Sequence, residues 1–107
     1  MSTEQDAERA PAERTAVFDL DLPWCLDQQV AVRPEPFGAL LYHFGTRRLS
    51  FLKNATVLTV VRSLAAHPTA RSACAAAGVT GRSLPAYEQA LAALASSTMI
   101  RLRDDQS

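Results

Sequence analysis

The thiols and imidazoles of this sequence, the side chains most suited to nucleophilic or metal work at neutral pH, are Cys25, His43, His67 and Cys74. The cysteines are far apart, and no cluster of Cys, His and acid follows zinc spacing. Cys25 has the thiol of a nucleophile, but nothing nearby supplies the base that would activate it. The four glycines are scattered at turns and form no phosphate-binding loop. His43 falls within an apolar run on the face opposite Tyr42, and His67 precedes a proline at a helix end. The residues therefore predict a protein without a catalytic centre, metal or cofactor. Two reduced thiols and no basic–apolar signal at the start predict a cytoplasmic location.

Charge is the more informative chemistry. Net charge is zero, yet residues 36–103 hold eight bases and only one acid, Glu88. Such a segment favours an anionic partner, although a solvated face offset by the acidic N-terminal part gives the same composition. The densest stretch is Arg47-Arg48-Leu49-Ser50-Phe51-Leu52-Lys53. Its alternation suits a strand, and an edge strand with basic ends has two uses. Positive charge keeps copies of the chain apart, or it receives an acidic extended peptide.

These residues need elements to position them. The chain has 107 residues, enough for one domain and one core. Residues 1–16 are rich in Ala, Glu and Arg around Pro11 and lack apolar periodicity, so they read as a disordered arm. Residues 17–103 read as the folded domain and 104–107 as a tail. Phe18, Leu20 and Leu22 alternate with acids, which suits a short extended segment. Leu26–Arg33 reads as a first strand, stopped by Pro34-Glu35-Pro36. Ala39–Phe44 reads as a second and Arg47–Lys53 as a third, joined by a two-residue turn at Gly45-Thr46. That turn sets Tyr42 opposite Leu49 and Leu40 opposite Phe51. By period, the aromatics Tyr42, Phe44, Phe51 and Tyr87 read mainly as core.

Asn54 then caps a helix with an apolar stripe through Val57, Leu58, Val61, Leu64 and Ala65, ended by His67-Pro68. Thr69 caps a second helix, Ala70–Ala77, stopped by Gly78. Ser83 is expected to cap a third, with Pro85 in its first turn and a stripe of Leu84, Tyr87, Leu91 and Leu94. Ser96-Ser97-Thr98 loosens that helix before a short extended piece, Met99–Leu102. No apolar run reaches the ~20 residues of a membrane helix. Strands followed by helices predict an α+β fold of winged-helix-like content, a three-stranded antiparallel sheet followed by three helices.

The stretch Trp24-Cys25-Leu26-Asp27-Gln28-Gln29-Val30-Ala31-Val32-Arg33-Pro34-Glu35-Pro36-Phe37-Gly38-Ala39-Leu40-Leu41-Tyr42-His43-Phe44, continuing through Gly45 to Asn54, resembles the mycofactocin biosynthesis chaperones. These are PqqD-like peptide-recognition elements of ribosomal peptide pathways. The resemblance covers about Phe18 to Leu102, with Arg33 to Asn54 its most specific part. It implies a non-catalytic carrier whose partners are a precursor peptide leader and a radical S-adenosylmethionine maturase. It also implies that the leader adds as a strand to the third strand, in the groove toward the third helix. On this sequence the peptide-binding residues become Arg47, Arg48, Leu49, Ser50, Phe51, Leu52 and Lys53, facing Leu84, Tyr87, Glu88 and Leu91. Ser50→Pro is then expected to disturb the added strand, provided the Ser50 N–H faces outward. The competing class is a winged-helix nucleic-acid-binding protein. Its recognition helix needs phosphate anchors, and the third helix here has Glu88 and Gln89 but no Lys or Arg. Neither nucleic acid nor a membrane is therefore expected as a partner.

Overall fold

The computed structural model describes residues 18–103. The expected arm at 1–16 and tail at 104–107 lie outside the described residues. The chain runs β1 (Trp24–Leu26), β2 (Val30–Glu35), β3 (Gly38–His43), β4 (Leu49–Leu52), α1 (Ala55–Ser63), α2 (Ala70–Ala76), α3 (Leu84–Ser96) and β5 (Ile100–Leu102). Short 3-10 turns, Leu64–Ala66 and Gly81–Ser83, follow α1 and precede α3. The α+β expectation holds: β2-β3-β4 form a three-stranded antiparallel sheet in sequence order. A separate two-stranded ribbon pairs β1 with β5, Cys25 opposite Arg101.

The ribbon corrects the single strand expected over Leu26–Arg33. Asp27 divides it: its carboxylate accepts the Gln29 N–H at 2.8 Å and its carbonyl the Val30 N–H at 3.0 Å. This local turn chemistry outcompetes a continuous ladder. The strand then passes through Pro34 to Glu35, so Pro34 does not stop it. Pro34 lies opposite Ala39 at a position whose N–H would face away from β3, where its absence costs no ladder bond. The segment at Phe18 is likewise not extended. Residues 19–22 turn, with Leu22 N–H donating to the Asp19 carbonyl. The Leu20 and Leu22 carbonyls accept the N–H groups of Arg71 and Ala70, two of the orphan donors that open α2.

Asn54 caps α1, its Oδ1 accepting the Val57 N–H at 2.9 Å. Thr69 caps α2 in a capping box with Ser72. Ser83 does not cap α3. It has helical backbone inside the preceding 3-10 turn, and its Oγ donates back to the Thr80 carbonyl. Among the described residues no helix is long and apolar enough to cross a membrane.

The core lies between the sheet, the ribbon and the helices, with Trp24, Leu41, Leu52, Val60, Val61, Leu64, Leu91 and Ile100 fully enclosed. The sheet gives this core its Ala39, Leu41, His43 and Leu52 side chains. The opposite face carries Leu40, Tyr42, Phe44, Leu49 and Phe51. The aromatics of the strands are thus not core. Phe44 is 59% and Phe51 66% exposed, and Tyr42 is half-buried. Residues 39–42 are apolar at every position, so alternation fixes which residues share a face but not which face is covered. Helix α1 packs on β3 and decides that.

A candidate peptide-binding groove on the sheet edge

The β3–β4 hairpin sets the site. Its register places Tyr42 opposite Leu49, Leu40 opposite Phe51 and Leu41 opposite Ser50. The centre is where Gly45-Thr46 predicts it, but the loop is longer, running from Phe44 to Arg47. His43 N–H donates to the Arg48 carbonyl, and Arg47 N–H to the His43 carbonyl. His43, buried on the inner face, holds the loop from beneath. Its Nδ1 accepts the Gly45 and Thr46 N–H groups at 3.0 and 3.1 Å. That leaves the ring proton on Nε2, 3.6 Å from an Asp27 carboxylate oxygen. This is structural use of a histidine, not acid–base use. Arg47 sits in the loop at φ 64°, and the expected strand Arg47–Lys53 shortens to Leu49–Leu52.

Hydrogen-bonded and non-bonded pairs alternate along an antiparallel ladder. The His43–Arg48 bond makes that pair bonded, so Leu41–Ser50 and Ala39–Leu52 are bonded too. On the other side of β3, the bond from Phe44 N–H to the Gln29 carbonyl requires the complementary phase, and the two agree. The backbone groups of Ser50 and Leu52 therefore face β3. Those of Leu49 and Phe51, and of Lys53 just beyond the strand, face away from it. None of the three outward N–H groups has a hydrogen-bond partner among the described residues. The condition that the Ser50 N–H face outward is thus not met, and proline there would break the sheet itself.

The open edge borders a groove of about 580 Å³ between β4 and α3. Ser50, Phe51, Leu52 and Lys53 line one wall and Tyr87 the other, as the sequence predicts. The remaining expected residues are elsewhere. Leu91 is fully buried behind the helix, while Leu84 and Glu88 do not line the groove. Leu49, Arg47 and Arg48 are exposed at one end of β4, outside the lining. The sequence reading missed the helix wall of Ala86, Gln89, Ala90, Ala93 and Ser97. Its signal was a stripe of small residues at helical spacing, which leaves room between helix and strand where leucine would fill it.

Lys53, Arg47 and Arg48 are exposed and make no ion pair among the described residues. Other cations do pair: Arg71 holds Asp21 at 2.7 Å, Arg33 holds Glu35 at 2.9 Å and Arg101 lies 3.9 Å from Asp27. Among the described residues no group of His, Cys, Asp and Glu could hold a metal. Burial pushes the Cys74 thiol above its ordinary range, which disfavours the thiolate a nucleophile needs. Cys25 lies half-buried in β1.

Known proteins resemble the chain over most of its length. Residues 23–101 match the family described as peptide chaperone MftB. A peptide chaperone MftB of Mycobacterium ulcerans is 63% identical over 94 residues, covering 85% of this chain and 86% of its own. One from Mycolicibacterium smegmatis is 64% identical over 83 residues, covering 78% and 81%. One from Mycobacterium tuberculosis is 57% identical over 95 residues, covering 85% and 87%. No solved structure matches the chain. The chain belongs to the peptide chaperone MftB family, whose members are chaperones and not enzymes.

Proposed function

We propose that this chain carries the leader of a ribosomally synthesised precursor peptide to a radical S-adenosylmethionine maturase in mycofactocin biosynthesis. The leader binds as a fourth strand on the outer edge of β4. The observation that carries this reading is the open backbone of Leu49, Phe51 and Lys53 beside an apolar-walled groove. Each main-chain bond to an extended peptide adds about 1 kcal/mol net and reads no side chain. Specificity comes from the groove, where Phe51, Tyr87 and Val57 offer apolar contact and Lys53 attracts acidic residues. Arg47 and Arg48 extend that attraction past the hairpin end. Names of the relatives support a peptide as the partner. The maturase follows from the resemblance to peptide-recognition elements.

Amide exchange with and without leader tests the mode. Leu49, Phe51 and Lys53 should gain protection, whereas Ser50 and Leu52 are already bonded to β3 and should change little. Protection confined to α2, or to β2, would sink strand addition at β4. A random DNA duplex in place of leader should produce no change, because α3 offers no cation to phosphate.

A further inference from the structure

The sheet has a face that no element covers among the described residues. Cross-strand rows place Ala31, Tyr42 and Leu49 together, then Arg33, Leu40 and Phe51, with Phe44 above and Phe37 in the β2–β3 turn below. Phe37 and Phe51 rings lie 6.0 Å apart, and Tyr42 meets Phe44 edge-on at 5.3 Å. Four of the five large apolar side chains the described residues expose are here: Phe37, Phe44, Leu49 and Phe51. A contiguous aromatic patch of this kind marks a contact surface. Its margin is basic along the β4 side, with Arg47 in the loop and Lys53 beyond β4, while Arg33 on the face is paired with Glu35.

We infer that this open face docks the maturase, through an enzyme surface with an apolar centre and an acidic margin. The inference rests on the carrier reading above and extends it to a second surface. Charge decides against a second copy of the chain, since two such faces apposed would bring their basic margins together. Residues 1–17 have no aromatic, Leu or Ile side chain with which to fill the patch. Continuity favours the enzyme. Phe51 belongs both to the groove wall and to the open face, so a leader on β4 widens this face by one strand. The docked enzyme then meets carrier and peptide side by side.

The test uses the full chain, a synthetic acidic leader and the purified maturase. Phe37→Ser with Phe44→Ser removes two exposed rings in turns, outside the groove lining. Maturase binding should weaken about tenfold or more, and leader binding should stay within about threefold. Cross-saturation from maturase to the wild-type ring protons of Phe37 and Phe44 reads the same contact without a substitution, and signal loss there is expected. Unchanged maturase affinity with no transfer to these rings overturns the proposal. Loss of leader binding alone, or a wild-type dimer that the substitutions dissociate, overturns it also. Wild type that binds leader but no maturase overturns docking and leaves the carrier reading standing. Wild type that binds no leader overturns both.

Discussion

β2 and β4 are the two edges of one sheet, yet their outward backbones differ. On β2 the outward positions are Val30, Val32 and Pro34. The Val30 N–H already donates to the Asp27 carbonyl, and Pro34 has none to offer. On β4 the N–H groups of Leu49 and Phe51 are both open. Edge strands invite pairing unless something blunts them. Here one edge is blunted by a proline and a turn, while the other keeps its donors and has cations at its ends. Basic charge on β4 still opposes pairing with another copy of itself. On the proposed binding mode the same charge would admit an acidic strand and discourage an identical one, so gatekeeping and docking would be two uses of Arg47, Arg48 and Lys53.

The most damaging change removes the sheet that carries both edges. Gly38 has φ +151°, and a Cβ there would sit 2.0 Å from the Leu52 carbonyl oxygen. Gly38→Val should cost about 3 kcal/mol or more, read as a lower urea midpoint, with leader binding lost in proportion. Next come two prolines on β4 that should behave differently. Ser50→Pro deletes a bond to β3 and should destabilise the fold by about 3 kcal/mol. Phe51→Pro deletes an outward donor. It should leave the fold intact yet bind leader about tenfold more weakly than Phe51→Ala. Equal leader affinity in the two Phe51 variants would mean that the outward bond is not used.

Charge should matter less. Arg47→Glu with Arg48→Glu should weaken leader binding by roughly 0.2–1 kcal/mol per residue and flatten its salt dependence. Titrations at low and high ionic strength read this. On the opposite edge, Pro34→Ala restores a donor where no peptide is expected. Leader affinity should not change, and stability should shift by less than about 1 kcal/mol. Tighter leader binding in that variant would show that the two edges compete for it.

The smallest effect lies away from both edges. Arg71 holds the exposed Asp21 carboxyl below its ordinary pKa, chiefly through their hydrogen bond. A carboxyl lowered on folding contributes stability that is complete above its unfolded pKa. That contribution disappears as pH falls through the lowered folded value. Acid unfolding curves should therefore show the full separation of wild type from Asp21→Asn above the unfolded carboxyl pKa of about 4, and converge progressively as pH falls below it through the lowered folded value. Leader affinity at neutral pH should be identical in the two proteins.

Turn chemistry and parity carried most of what could be read from the sequence. Gly45-Thr46 marks the hairpin centre, and from that centre every cross-strand pair of β3 and β4 follows. Asn54 and Thr69 mark helix starts through side-chain bonds, and Gly78 marks a helix end through its positive φ of 86°. Two things needed tertiary contact. The covered face of the sheet is chosen by α1, and an unbroken apolar run at 39–42 cannot announce that choice. The β1–β5 ribbon joins short segments from opposite ends of the described chain, and no local pattern specifies such a pairing. Asp27 was the available warning that Leu26–Arg33 is not one strand. The family resemblance points to the third helix as a whole, and with it to Leu84, Glu88 and Leu91 beside Tyr87. The wall itself is the neighbouring stripe of alanines.

The β1–β5 ribbon also bears on when this protein becomes itself. Trp24 packs in the core and pairs with Leu102, and the Arg103 N–H closes onto the Pro23 carbonyl. During synthesis the hairpin of β3 and β4 and the helices can form as they emerge, since their partners are near in sequence. The strand at Trp24 must wait until Leu102, its partner far along the chain, has left the ribosome. Closing so long a loop is entropically costly and slow relative to local contacts. A nascent chain would thus display the open edge of β4 before Trp24 is locked away, and tryptophan fluorescence should report the last event of folding.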